Sequence, residues 1–142
     1  MALKKKFFPK VSIVIPAYNA SKVIKECLQA IQKQTILIEE VIVVNDYSTD
    51  NTKEISQSFR KVKVINLEEN KGPAHARNKG AEEAKGDIII FLDSDCIPNS
   101  NWAEEMIKPF EDEQIAGVQG AYRTKQHSFV AQFEQMFIGY TG

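Results

Sequence analysis

The sequence predicts an α/β fold, a mostly parallel sheet with helices on both sides. Three observations predict it. Apolar runs of strand length, VSIVI (11–15), EVIVV (40–44) and DIIIFL (87–92), are almost continuously hydrophobic, as in strands buried on both faces. Segments of helical periodicity separate them, and repeated strand–helix–strand units favour parallel pairing through crossovers. Polar clusters close three of the runs: PAYNA after the first, NDYSTD after the second and DSDC after the third.

Each element has its own signal. The first strand, 11–15, is stopped by Pro16. Ser21 is placed to cap a helix in which Val23, Cys27 and Ile31 repeat at four-residue intervals, beside Ile24 and Leu28. After the second strand, Asn51 and Glu54 have the spacing of a capping box. Ile55 and Phe59 then mark the buried side of a second helix, followed by a short strand at 62–65. The third helix opens at Gly72-Pro73 and carries small residues (Ala74, Ala81, Ala84) that let it lie close to the sheet. Gly86 suits its C′ position. Past the strand at 87–92, Trp102, Met106 and Phe110 recur at i, i+4 and i+8, with Pro109 bending or ending that helix. A strand is expected over 115–122. A last amphipathic helix would set Phe129, Val130, Phe133 and Phe137 on one face.

The 142 residues, 43% hydrophobic and 26% charged, suit one soluble core. A net charge of −1 gives no reason to expect nucleic acid. No run approaches the roughly 20 apolar residues that span a bilayer. The leader, residues 1–10, is basic without an apolar core, so it does not read as a signal peptide. Lys4–Lys6 read as a solvated leader, with peripheral contact to anionic lipid as the alternative. Cys27 and Cys96 lack metal-site or redox spacing, and two unpaired thiols fit a reducing cytoplasm. Cys27 reads as a small core residue. Cys96 follows the acid pair, where approach to a ligand is the alternative, and with no neighbouring His or Lys it reads as an inert thiol.

In an open parallel sheet, ligands bind beyond the carboxyl ends of the strands, where the three polar clusters fall. Asp93 and Asp95 are one residue apart, so in extended backbone both lean to one side. Two hard oxygen donors suit Mg2+ or Mn2+; the competing reading is a solvated turn. Neither a P-loop nor a G-x-G-x-x-G motif is present. Phosphate charge would then be met by a metal and isolated side chains, with Arg77 a candidate. A surface arginine beside a loop reads equally well. His75 and His127 find no partners, and no Ser/His/Asp set can be assembled.

At these clusters the chain resembles the family-2 glycosyltransferases of GT-A fold. The resemblance rests on VSIVIPAYNA, EVIVVNDYSTDNT, NKGPAHARNKGAEEAKGD and IIIFLDSDC, in the family's order and spacing. It implies a Rossmann-like nucleotide-diphospho-sugar transferase fold and a UDP- or GDP-linked sugar donor. Pro16, Ala17 and Tyr18 would lie against base and ribose, and Asp46 would hydrogen-bond the base. Arg77 lies in the segment facing the nucleotide. Asp93 and Asp95 match the DxD motif, Asp95 as direct ligand of Mg2+ or Mn2+ and Asp93 nearer the ribose or a metal-bound water. Ser94 would approach the donor through its backbone. The chain departs from the family at Asn45, where an acid is common, at Ala20, where a Glu is frequent, and at Tyr47, where a small residue is usual.

On this reading residues 11–122 form the nucleotide-sugar-binding domain, and 123–142 begin an acceptor-side region, truncated at the C-terminus. The implied activity is metal-assisted, inverting transfer to an acceptor hydroxyl of a glycan, lipid or protein. The catalytic base is unassigned, with Glu134 the first candidate were the chain self-contained. The segment from Ser128 onward, with the apolar face around Phe133, is expected to dock on a second copy, to swap between chains or else to become disordered. The expected location is cytoplasmic, or the membrane surface. The alternatives are a non-catalytic nucleotide-binding module and a sugar nucleotidyltransferase; the latter would carry a Gly-rich basic loop that PAYNA lacks.

Overall fold

A computed structural model describes residues 6–120 and 136–140. One sheet of six strands runs through it, in the order β3-β2-β1-β4-β6-β5. Its parallel half comprises β1 (Val11–Ala17), β2 (Glu40–Asn45), β3 (Val62–Asn66) and β4 (Ile88–Phe91). On the far side of β4, β6 (Met136–Tyr140) runs antiparallel, and β5 (Gly117–Gly120) pairs antiparallel with β6. The helices are α1 (Ile24–Gln32), α2 (Thr52–Gln57), α3 (Pro73–Glu83) and α4 (Trp102–Ile107). The expected α/β architecture is therefore observed, with an antiparallel pair added.

Strand alternation divides the core into two layers. Ile13, Ile15, Val41, Val43, Ile88 and Ile90 face Ile24, Cys27, Leu28 and Ile31 of α1 and Ala103, Met106 and Ile107 of α4. Val14, Ile42, Val44 and Ile89 face the other way, toward Ala76 of α3. Burying each such aliphatic side chain is worth about 1.5–3 kcal/mol, so the central strands carry most of the stabilisation. On the α3 side the fit is close. A Cβ at Gly80 would overlap Val14 Cγ1 and come within 3.1 Å of Val44 Cγ2.

Several local expectations are corrected. β1 continues through Pro16 to Ala17, in register with Val44 and Asn45. The Val14 carbonyl accepts from Leu92 N, so residue 16 also faces β4, whose register with β1 ends at Val14. The absent proline N–H therefore falls past the end of that ladder and costs no bond. Ser21 does not cap α1, which starts after Val23 without a side-chain cap. Ser21 N instead donates to Asp50 Oδ2 at 3.0 Å. The Asn51–Glu54 box is likewise unformed, because Asp50 takes the cap role: its Oδ1 accepts from Thr52 N at 3.0 Å and Thr52 Oγ1 at 2.5 Å. Gly86 is no C′ residue. A Cβ there would sit 2.6 Å from Ser12 Oγ and 2.7 Å from Ser12 N, so glycine is required by close backbone approach.

At the C-terminal end, α4 stops at Ile107 and a 3-10 turn, Lys108–Glu111, takes up Pro109, as the proline predicts. The strand expected over 115–122 begins later, at Gly117, and is described as Gly117–Gly120; 121–122 lie outside the described residues. Phe137 lies in β6 and not on a helix, which removes it from the expected apolar helix face. Phe129, Val130 and Phe133 fall outside the described residues. Among the described residues, no helix is long and apolar enough to cross a membrane.

Candidate functional site

Parallel pairing of β2, β1 and β4 carries the loops after all three strands to one edge of the sheet. Asp46 follows β2, Tyr18 follows β1 and Asp93 follows β4, so these residues gather at the carboxyl edge. The geometry there is built by backbone as much as by side chains.

Asp46 is only 2% exposed, yet its carboxylate is fully engaged by hydrogen bonds. Oδ1 accepts from Lys71 N at 2.8 Å and Oδ2 from Gly72 N at 2.9 Å. Asp46 N donates to Ala17 O at 2.8 Å, and Asn70 Nδ2 donates to Asp46 O. Asp46 thus ties β1, β2 and the entry to α3 into one unit. Two charge-assisted amide bonds make this burial affordable. Asn45 uses both functions of its amide, donating to Asn66 Oδ1 and accepting from Ser48 N. A carboxylate could not donate the first of those bonds.

α3 then presents Arg77, whose Nη2 lies 3.0 Å from Asp93 Oδ1; both side chains are about one-third exposed. The sequence left open whether Arg77 was a site residue or a surface arginine, and the structure brings it to the acid pair. Asp93 and Asp95 do not converge through extended backbone. They flank a turn in which Cys96 N donates to Asp93 O at 3.1 Å, because β4 has already ended at Phe91. The turn carries Ser94 at its centre. Ligand atoms of Asp93, Asp95 and Cys96 all lie within 4.8 Å of one another, with Asp95 the exposed member. The two carboxylates offer hard oxygen donors suited to one divalent ion with open positions for water and phosphate oxygens, and the soft Cys96 thiol lies beside them.

The sequence placed Cys96 directly after the acid pair, and the turn brings its Sγ to 3.7 Å from Asp95 Oδ1. Cys27 is buried, as expected for a core residue, and its thiol reaches Asp93 O at 3.7 Å. Burial, reinforced by Cys96, Asp95 and Asp93 nearby, pushes the Cys27 thiol up to about 12. The thiol is therefore neutral in the fold.

The loops after β1 and β2 are zipped together. Asn19 N donates to Ser48 Oγ at 3.0 Å, Thr49 N donates to Asn19 Oδ1 at 2.8 Å, and Ala20 N donates to Thr52 Oγ1 at 2.8 Å. Pro16 and Ala17 are buried at this junction, Ala17 contributing its carbonyl. Tyr18 and Tyr47 are 55% and 56% exposed. Tyr47 also has left-handed backbone, at φ 62°.

The sequence profile of glycosyl transferase family 2 matches residues 12–138. The chain belongs to that family. Among family-2 relatives, glycosyltransferase GlyG of Streptococcus pneumoniae is 38% identical over 116 residues, 79% of this chain and 38% of that protein. The crystal structure of Staphylococcus aureus TarS 1-349 in complex with UDP-GlcNAc superposes with a TM-score of 0.70 at 34% identity. It covers 76% of this chain and 33% of the TarS chain. The mannosyltransferase PcManGT from Pyrobaculum calidifontis, in complex with GDP-Man and Mn2+, gives a TM-score of 0.75 at 27% identity. Here 82% of this chain and 36% of that one are covered. The sheet and its flanking helices are thus those of the GT-A glycosyltransferases. The chain spans about a third of the length of each of these proteins.

Proposed function

We propose that this chain is the donor-binding part of a glycosyltransferase that moves a sugar from a UDP- or GDP-linked donor to an acceptor hydroxyl. The observation that carries the reading is the meeting of Arg77, Asp93 and Asp95 at the carboxyl edge. The nucleotide-sugar complexes of TarS and PcManGT support a donor of this class. Mg2+ or Mn2+ fits the donor set, held through Asp95 with Asp93 beside it, and would supply positive charge against a diphosphate leaving group.

The chain's own groups do the rest. Arg77 adds a fixed positive charge next to Asp93, at the place where diphosphate charge develops. Asp46 holds the start of α3, and so fixes where Arg77 projects. Of Pro16, Ala17 and Tyr18, the first two are buried and support the loop, leaving Tyr18 as the exposed surface for base and ribose, and the turn at Ser94 presents backbone to the sugar. In an inverting transfer, a carboxylate removes the acceptor's proton as the anomeric carbon is attacked from the face opposite the diphosphate.

Calorimetry of UDP and GDP binding, with and without Mn2+, tests the reading. The wild-type chain should bind more tightly with Mn2+, and Asp95→Ala should lose that increment while melting like wild type. Equal affinity of Asp95→Ala and wild type in Mn2+ would reduce the acid pair to a solvated turn.

A further inference from the structure

We propose that Tyr47 is a nucleobase-binding residue whose ring extends the stacking surface begun by Tyr18. This rests on the donor-site reading above and goes beyond it by assigning a residue that sits where the family usually has a small one.

Four observations carry it. Tyr47 takes a φ of 62°, a region that penalises any residue with a bulky side chain and that glycine fills without strain. The turn would be easier to form without the ring, and backbone held in such a region points to a role for the residue that occupies it. The ring is 56% exposed, and among the described residues it makes no hydrogen bond or ring contact that would explain it structurally. Finally, it is paired with Tyr18 by backbone. Asp46 N to Ala17 O precedes both tyrosines, and Asn19 N to Ser48 Oγ follows them. With Ala17 opposite Asn45, Tyr47 stands one residue further along than Tyr18, so two exposed tyrosines leave neighbouring strand ends within one residue of each other.

Their setting selects the ligand. A peptide or glycan could also use exposed aromatics, but these two stand on the edge that carries the acid pair and Arg77. A nucleoside diphosphate has both the charge for that cluster and a flat face for the rings. Stacking tolerates any base, because every base has a π-face, so Tyr47 adds affinity without fixing base identity.

The test compares wild type, Tyr47→Gly and Tyr47→Phe for binding of UDP, GDP and inorganic pyrophosphate, all in Mn2+. Tyr47→Gly should lose roughly tenfold in UDP and GDP affinity, as for removal of one stacking partner. Its pyrophosphate affinity should not change, and it should melt no lower than wild type. Tyr47→Phe should bind as wild type does. Unchanged UDP and GDP affinity in Tyr47→Gly would overturn this inference alone. So would a matching loss for pyrophosphate, which would mean that the residue shapes the turn and not the base contact. A wild-type chain that binds neither nucleotide would overturn the donor-site reading together with it.

Discussion

Arg77 Nη2 and Asp93 Oδ1 are 3.0 Å apart, an ion pair joining the third helix to the loop after the fourth strand. The pair does two things at once. It neutralises part of the acid cluster and, on the proposed reading, holds a guanidinium where phosphate would arrive. With both partners about one-third exposed, its contribution to stability is small.

Arg77→Ala should therefore separate binding from folding. The expected loss in UDP and GDP affinity is about tenfold, in line with one charged contact. The change in unfolding free energy should stay within about 1 kcal/mol. Calorimetry and urea denaturation on the same preparations check both. A large stability loss with intact binding would make the pair structural.

Asp46 should behave in the opposite way. Asp46→Asn turns one acceptor into an amide donor facing the N–H of Lys71 or Gly72. The expected destabilisation is about 1.5–3 kcal/mol, with a lower urea midpoint and unchanged slope. Hydrogen exchange should rise first at the amides of Lys71 and Gly72.

Gly80→Ala places a methyl against Val14 and Val44 on the α3 side of the sheet. Overpacking of this kind costs about 1–3 kcal/mol, more than the gain in helix propensity returns. Adding Val14→Ala should recover part of the loss, a non-additivity readable in a double-mutant cycle.

Asp50 sets an acid-stability window. Its burial penalises the charged form, but the hydrogen bonds from Thr52 and Ser21 outweigh that and hold the carboxyl down at about 2, below its ordinary 3.8. A depressed folded value means that the unfolded chain takes up the proton first. Its stabilisation is present above pH 3.8 and is lost as pH falls toward 2. Asp50→Asn should flatten this part of the stability–pH curve. An unaltered slope between those values would show that other carboxyls dominate.

Much of the sheet was legible because its signal is local. Ile88, Ile89 and Ile90 in succession demand burial on both faces, and no solvent-facing strand reads that way. Gly80 was a different matter: the small-residue character of its helix was visible, but only the approach of Val14 makes it obligatory. The caps failed for a tertiary reason. Ser21 and Asn51 had the right spacing, yet Asp50 reaches both segments and satisfies them from outside. Cys96 was seen to follow the acid pair, but the turn that folds it back beside Asp93 leaves little trace in hydrophobic pattern. Phe137 misled because apolar residues at helical spacing also occur in a strand paired on both sides.

The position of β6 has a consequence during synthesis. β4 ends at Phe91 and its outer neighbour begins at Met136, so 44 residues (92–135) lie between the two partners in the chain. At about 5–20 residues per second, β4 waits roughly 2–9 s on the ribosome with one edge bare. A bare apolar edge is a template for another nascent copy. Slowing translation between residues 91 and 136 should therefore lower the soluble yield, even though the finished protein is unchanged in sequence.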